Sequence, residues 1–149
     1  FLLDAIEAAG VRPEWVGVEV TETALLRDPG RAQAELQALR AAGVRIALDD
    51  FGTGYSSLTW LTQFPVDVVK IDRSFTAALG VDPRRSALVR ALVSVAHELG
   101  LTTVAEGIET TGQRDVLADY GCEFGQGYLF GRPTPLDDDM WSQSARVAR

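Results

Sequence analysis

Cysteine is almost absent from this sequence: Cys122 stands alone in 149 residues, so no intrachain disulfide can form. A reducing compartment is the simple reading, with Cys122 as a small buried side chain. Histidine is equally scarce. His97 is the single one and falls inside a long predicted helix, where it reads as a helix-face residue. No Ser-His-Asp or Cys-His arrangement is available for nucleophilic catalysis. Basic residues are outnumbered, 14 against 21 acidic, for a net charge of −7. That balance argues against binding a nucleic-acid polymer, which needs a basic face. No apolar run approaches the roughly 18 residues of a membrane span, so no membrane contact is expected of this segment. The opening Phe1-Leu2-Leu3-Asp4 has no basic region and no cleavage site, and so is not a signal peptide. It reads as the middle of a helix, as if the chain began inside a fold.

What is present is a balanced globular composition, 46% hydrophobic and 23% charged. Apolar strands and amphipathic helices alternate along it. Residues 1–9 read as the end of a helix stopped by Gly10 and Pro13. The β-branched run Val16–Val20 reads as a buried strand. Pro29 to Ala42 reads as a helix capped by Asp28, with Pro29 at its first position and Gly43 after its end. Val44–Leu48 is a second strand. A Gly- and Ser-rich stretch over 52–57 leads to a short helix through Leu61, and Val66–Ile71 is a third strand. Pro83–Leu99 forms a long helix closed by Gly100, and Leu101–Ala105 a fourth strand. Thr110–Tyr120 forms a helix ended by Gly121, and Phe124–Phe130 holds a fifth strand. A terminal helix runs from Pro135 to about Val147. Trp15, Trp60 and Trp141 read as core or helix packing.

Strict alternation with apolar strands means parallel strands joined by crossover helices. Either a doubly wound sheet or a (β/α)8 barrel fits. A whole barrel needs eight strands and roughly 200–250 residues. Five strands would leave about three missing from the N-terminal side.

Polar residues gather where the apolar runs end. Glu19-Val20-Thr21-Glu22 closes the first strand, Asp49-Asp50 the second, Lys70-Ile71-Asp72 the third and Glu106-Gly107-Ile108-Glu109 the fourth. Parallel α/β folds build their sites on that C-terminal rim. Any one of these charges could be an ordinary wetted strand end. Together, seven carboxylates and one lysine would repel unless cations compensate them. Carboxylate oxygens without thiols or imidazoles favour Mg²⁺, Mn²⁺ or Ca²⁺ over Zn²⁺. Adjacent Asp49 and Asp50 suit a pair of metals, an arrangement used in phosphoester hydrolysis. Lys70 suits an anionic oxygen. Gly52-Thr53-Gly54 matches neither a P-loop nor a dinucleotide fingerprint and reads as a glycine-hinged lid.

The same residues resemble the EAL family of cyclic-di-GMP phosphodiesterases. Glu19–Glu22 is similar to its E-x-T-E motif, and residues 49–58, DDFGTGYSSL, to its most specific motif. Lys70-Ile71-Asp72 resembles K-I-D, and Ala105–Glu109 resembles A-E-G-[VI]-E. Gly125-Gln126-Gly127-Tyr128-Leu129-Phe130 with Arg132-Pro133 resembles G-x-Q-G-Y-x-F-x-x-P. The resemblance implies a partial TIM-like (β/α) barrel, with residues 1–149 as the C-terminal portion of one EAL domain. It implies hydrolysis of cyclic-di-GMP to pGpG with two Mg²⁺ or Mn²⁺ ions, Ca²⁺ being inhibitory. By position, Glu19 would ligate the first metal, Asp49 both, and Asp50 the second. Lys70 would orient the attacking water, and Glu106 would be general base or a metal ligand. Glu22 would anchor the lid and Glu109 help hold it. Gln126 would touch metal water or the substrate phosphate, and Asp72 would lie near the site.

Two parts of that pattern are absent, the Glu-Ala-Leu strand and an Asn-bearing strand. Both are expected in about ninety residues upstream of Phe1, as a whole barrel requires. The segment alone is therefore expected to be inactive. The resemblance further implies a homodimer formed through the EAL domain, upstream sensor or GGDEF domains, and a cytoplasmic location. A degenerate domain that binds cyclic-di-GMP or a protein without turnover is the rival reading. Damage at Asp49, Asp50, Lys70 or Glu106 would favour it, and these four positions are intact.

Overall fold

The computed structural model describes residues 1–52 and 58–133. The expected helix after Pro135, Trp141 within it, and most of the predicted lid lie outside them. The chain divides into two compact units, Phe1–Val69 and a second beginning at Lys70. Strand β3 (Val68–Ile71) supplies its first two residues to one and its last two to the other.

In the first unit, helix α1 (Leu2–Ala8) and a 3₁₀ turn at Pro13–Trp15 precede strand β1 (Gly17–Thr21). Helices α2 (Glu22–Arg27) and α3 (Pro29–Ala41) lead to β2 (Arg45–Phe51), and α4 (Thr59–Gln63) leads to β3. β1 and β2 pair in parallel with Gly17 opposite Arg45 and Thr21 opposite Asp49. As expected, Asp28 caps α3 through the amide of Arg31 at 3.1 Å, with Pro29 at its first position. α2 is an element the motif reading had merged into the strand end. Thr21 caps it by accepting the amide of Ala24 at 3.4 Å, which stops the strand there and starts a helix at Glu22.

The core of this unit includes Leu25, Leu36, Ile46, Leu48, Phe51, Leu61 and Val69. Ile46 and Leu48 lie on one face of β2 and are wholly buried. β1 differs from its expected burial. Its residues alternate between exposed and half-buried and none is buried, and β2 is the one strand that pairs with it among the described residues. Composition alone does not say how many neighbours a strand has. Trp15 also differs: it is 70% exposed and stacks under the Arg12 guanidinium at 4.1 Å instead of entering the core. Trp60 packs as expected, 5.5 Å from Phe64 one helical turn on.

In the second unit, the end of β3 is followed by α5 (Arg73–Thr76), α6 (Pro83–Glu98), β4 (Thr102–Ala105), α7 (Thr111–Asp119) and β5 (Phe124–Gly125). β4 and β5 are parallel, with Ala105 opposite Gly125. Asp82 caps α6 at the amides of Arg84 and Arg85, ahead of Pro83. Thr110 and Gln113 close a reciprocal capping box on α7. Val89, Val93 and Ala96 of α6 repeat at helical spacing and are buried. Val89 and Val93 join Ile71, Leu79, Ala105, Ile108, Leu117 and Cys122 in one cluster. Cys122 is buried as expected, and burial raises its thiol pKa. Among the described residues no helix is long and apolar enough to cross a membrane.

Candidate active site

Asp49 and Asp50 close β2, and the backbone there is unusual. Asp50 has φ +54°, the one non-glycine residue with positive φ among those described. In a regular strand adjacent side chains point to opposite faces. The left-handed turn at Asp50 breaks that alternation and brings a carboxylate oxygen of each aspartate within 4.8 Å of the other. Holding a non-glycine residue there is costly, and such conformations concentrate at functional sites. Two hard oxygens this close repel as bare anions and are suited to a divalent cation. Glu19 lies two residues before Thr21, the partner of Asp49 in the strand register, so Glu19 and Asp49 share a face of the paired strands. Glu19 is exposed there.

Glu22 is not on the strand. It opens α2, where a carboxylate is favoured by the helix dipole, and is 9% exposed. Its Oε1 has no hydrogen-bond partner among the described residues. A buried carboxylate oxygen normally has one.

In the second unit, Lys70, Glu106 and Gln126 come together. Lys70 Nζ lies 2.8 Å from Glu106 Oε1, both side chains largely buried at 9% and 16% exposure. Gln126 Nε2 donates to the same Oε1 at 2.6 Å. Backbone bonds set these positions, with Glu106 N donating to Ile71 O at 3.0 Å and Gln126 N to Ala105 O at 2.9 Å. The remaining sequence candidates make local contacts at helix starts. Asp72 caps α5, accepting the amide of Ser74 at 2.9 Å. Burial acts to raise its pKa, but the hydrogen bonds from Ser74 and Arg73 outweigh it and lower the value. Glu109 is exposed, and its amide donates to Gln113 Oε1 at 2.8 Å beside the α7 cap.

Carboxylates and a lysine carried at the ends of parallel strands, with helices between, define a parallel α/β protein of the barrel type with a strand-end site. The family model described as "EAL domain" matches residues 1–133, and the chain belongs to that family. It is 43% identical over 132 residues to the cyclic di-GMP phosphodiesterase NbdA of Pseudomonas aeruginosa, covering 89% of this chain and 17% of that protein. The solved PaMucR phosphodiesterase in complex with c-di-GMP superposes with a TM-score of 0.84 at 41% identity, over 91% of this chain and 55% of that one. BlrP1 of Klebsiella pneumoniae, solved with manganese and cyclic-diGMP, gives 0.82 at 41% identity, over 89% of this chain and 34% of that one. The fold is thus the expected α/β one, part of a TIM-like barrel, and the chain spans well under two thirds of these relatives.

Proposed function

We propose that the protein containing this chain hydrolyses cyclic-di-GMP to pGpG, and that residues 1–149 are the C-terminal portion of its EAL domain. The observation that carries the reading is the intact Lys70–Glu106–Gln126 group, with Glu106 Oε1 as common acceptor. The relatives named as cyclic di-GMP phosphodiesterases support it.

Glu19, Asp49, Asp50 and Glu106 are the metal ligands in this reading, and their carboxylate oxygens fit Mg²⁺ or Mn²⁺, two ions per site. When bound, such ions neutralise phosphate charge and lower the pKa of water. The chain's own residues do the rest. Lys70 holds its cationic Nζ beside Glu106 and orients the attacking water. Glu106 accepts that water's proton as general base. Its partly buried setting strengthens both interactions relative to water. Glu22, with a buried oxygen lacking a described partner, anchors the segment after Asp50. Glu109 supports that segment. Asp72 fixes the start of α5, directly after the strand that carries Lys70.

In the same reading Ca²⁺ permits substrate binding but not turnover, because its looser coordination positions water poorly. The protein works in the cytoplasm as a homodimer through its EAL domain, under upstream sensor or GGDEF domains. Residues 1–149 alone are inactive. The test is hydrolysis by the full-length protein with Mg²⁺ or Mn²⁺, followed by chromatography. Appearance of pGpG supports the reading. Tight cyclic-di-GMP binding without product would leave a receptor.

A further inference from the structure

Glu106 meets two donors on one oxygen. Lys70 Nζ and Gln126 Nε2 both address Oε1, at 2.8 and 2.6 Å. The backbone arranges this closely. The Gln126 amide donates to Ala105 O at 2.9 Å, and its carbonyl accepts the amide of Ile108 at 3.0 Å. Residue 126 is therefore pinned to residues on both sides of Glu106.

One glycine permits that approach, and a second packs the Glu106 segment against Arg73. Gly127 has φ +154°, and a Cβ there would overlap the backbone nitrogen and oxygen of Ile108. Gly107 has φ +66°, and a Cβ there would stand 2.5 Å from Arg73 Cβ. A larger residue at 127 must push the Gln126 backbone away from Ile108, and one at 107 must displace Arg73.

We infer that Gln126 is a positioning residue for Glu106, seated by Gly127, rather than a contact to the substrate phosphate. A carboxylate with both donors on one oxygen is restrained in rotation. The carboxamide of Gln126 and the ammonium of Lys70 together fix where that oxygen lies. Groups that orient a ligand in this way govern metal affinity as well as rate. The inference rests on the proposed role of Glu106.

The test uses the full-length protein with Gln126→Met, which keeps the side chain's length and removes the donor. Three quantities are read: kcat and KM for cyclic-di-GMP, and Mn²⁺ affinity measured without nucleotide. Thermal melts of the metal-free protein check folding. The expected result is a fall of about 10- to 100-fold in kcat or Mn²⁺ affinity, with KM near the wild-type value. Gly127→Ala should reproduce it where that variant folds, while Gln126→Met leaves the backbone untouched and decides the matter if it does not. A raised KM with unchanged kcat and unchanged Mn²⁺ affinity would put the carboxamide on substrate and overturn the inference. Wild-type values for all three would also overturn it. If the unmodified protein releases no pGpG, the functional reading fails, and the Mn²⁺ titration still decides whether Gln126 positions Glu106.

Discussion

Asp67 and Glu123 perform the same task in two different βα segments. Each immediately precedes a strand, and each reaches back to the second residue of the strand before it. Asp67 Oδ2 accepts the amide of Ile46 at 3.0 Å, while Oδ1 pairs with Arg40 Nε at 3.0 Å. Glu123 Oε2 accepts the amide of Thr103 at 2.9 Å and also its hydroxyl, while Oε1 meets His97 Nε2 at 2.9 Å. In both, one oxygen satisfies a strand-entry amide and the other meets a basic side chain near the end of the preceding long helix. The motif reading passed over both carboxylates because neither lies at a strand's C-terminal end. These clamps serve the fold and not the chemistry, as expected for the N-terminal side of such strands.

Asp67→Ala should destabilise the protein by about 1–3 kcal/mol, because it strands the buried amide of Ile46. Arg40→Ala should cost less than about 1 kcal/mol, since that pair is half exposed. Urea unfolding of both variants measures the difference. Equal losses would mean that the ion pair, not the amide bond, is what Asp67 contributes.

Glu123 links stability to pH. Burial acts to raise its pKa, but hydrogen bonds from the Thr103 hydroxyl and amide and from His97 outweigh it, so the folded value is lowered. A lowered folded pKa means that the ionised form favours the folded state. This contribution is fully present above the unfolded value, about 4.3 for a glutamate. It is lost as pH falls through the folded value. The melting-temperature gap between the natural protein and Glu123→Gln should be widest near neutral pH and should narrow below about pH 4. A gap that stays constant down to pH 3 would contradict this.

Glu106→Gln should lower kcat by at least about 100-fold, the usual scale for loss of general acid–base catalysis. Cyclic-di-GMP binding should be retained, as equilibrium dialysis would show. Lys70→Met should lower kcat comparably, because it removes the cation beside a largely buried carboxylate. Full activity in either variant would remove that residue from the proposed mechanism.

Chelation of divalent ions should abolish hydrolysis by the full-length protein, and Mg²⁺ or Mn²⁺ should restore it. Ca²⁺ should restore nucleotide binding alone. Product formation at an undiminished rate in Ca²⁺ would refute the proposed demand for compact octahedral geometry.

Much of this molecule was legible from residue order. The apolar runs placed all five strands, because β-branched and apolar residues between turn signals favour extended chain. Asp28-Pro29 marked a helix start, because caps act over three residues. The DDFG and AEG motifs pointed to Asp49, Asp50 and Glu106. Only the folded chain decided the rest. It exposed Trp15 and left β1 half open, since burial depends on which neighbours arrive. It turned Asp72 onto its own helix, and it seated Gln126 and Lys70 on one oxygen of Glu106. The two contacts to Glu106 join residues 36 and 20 positions apart. A hydrogen bond works over about 3 Å of space, whatever the distance along the chain.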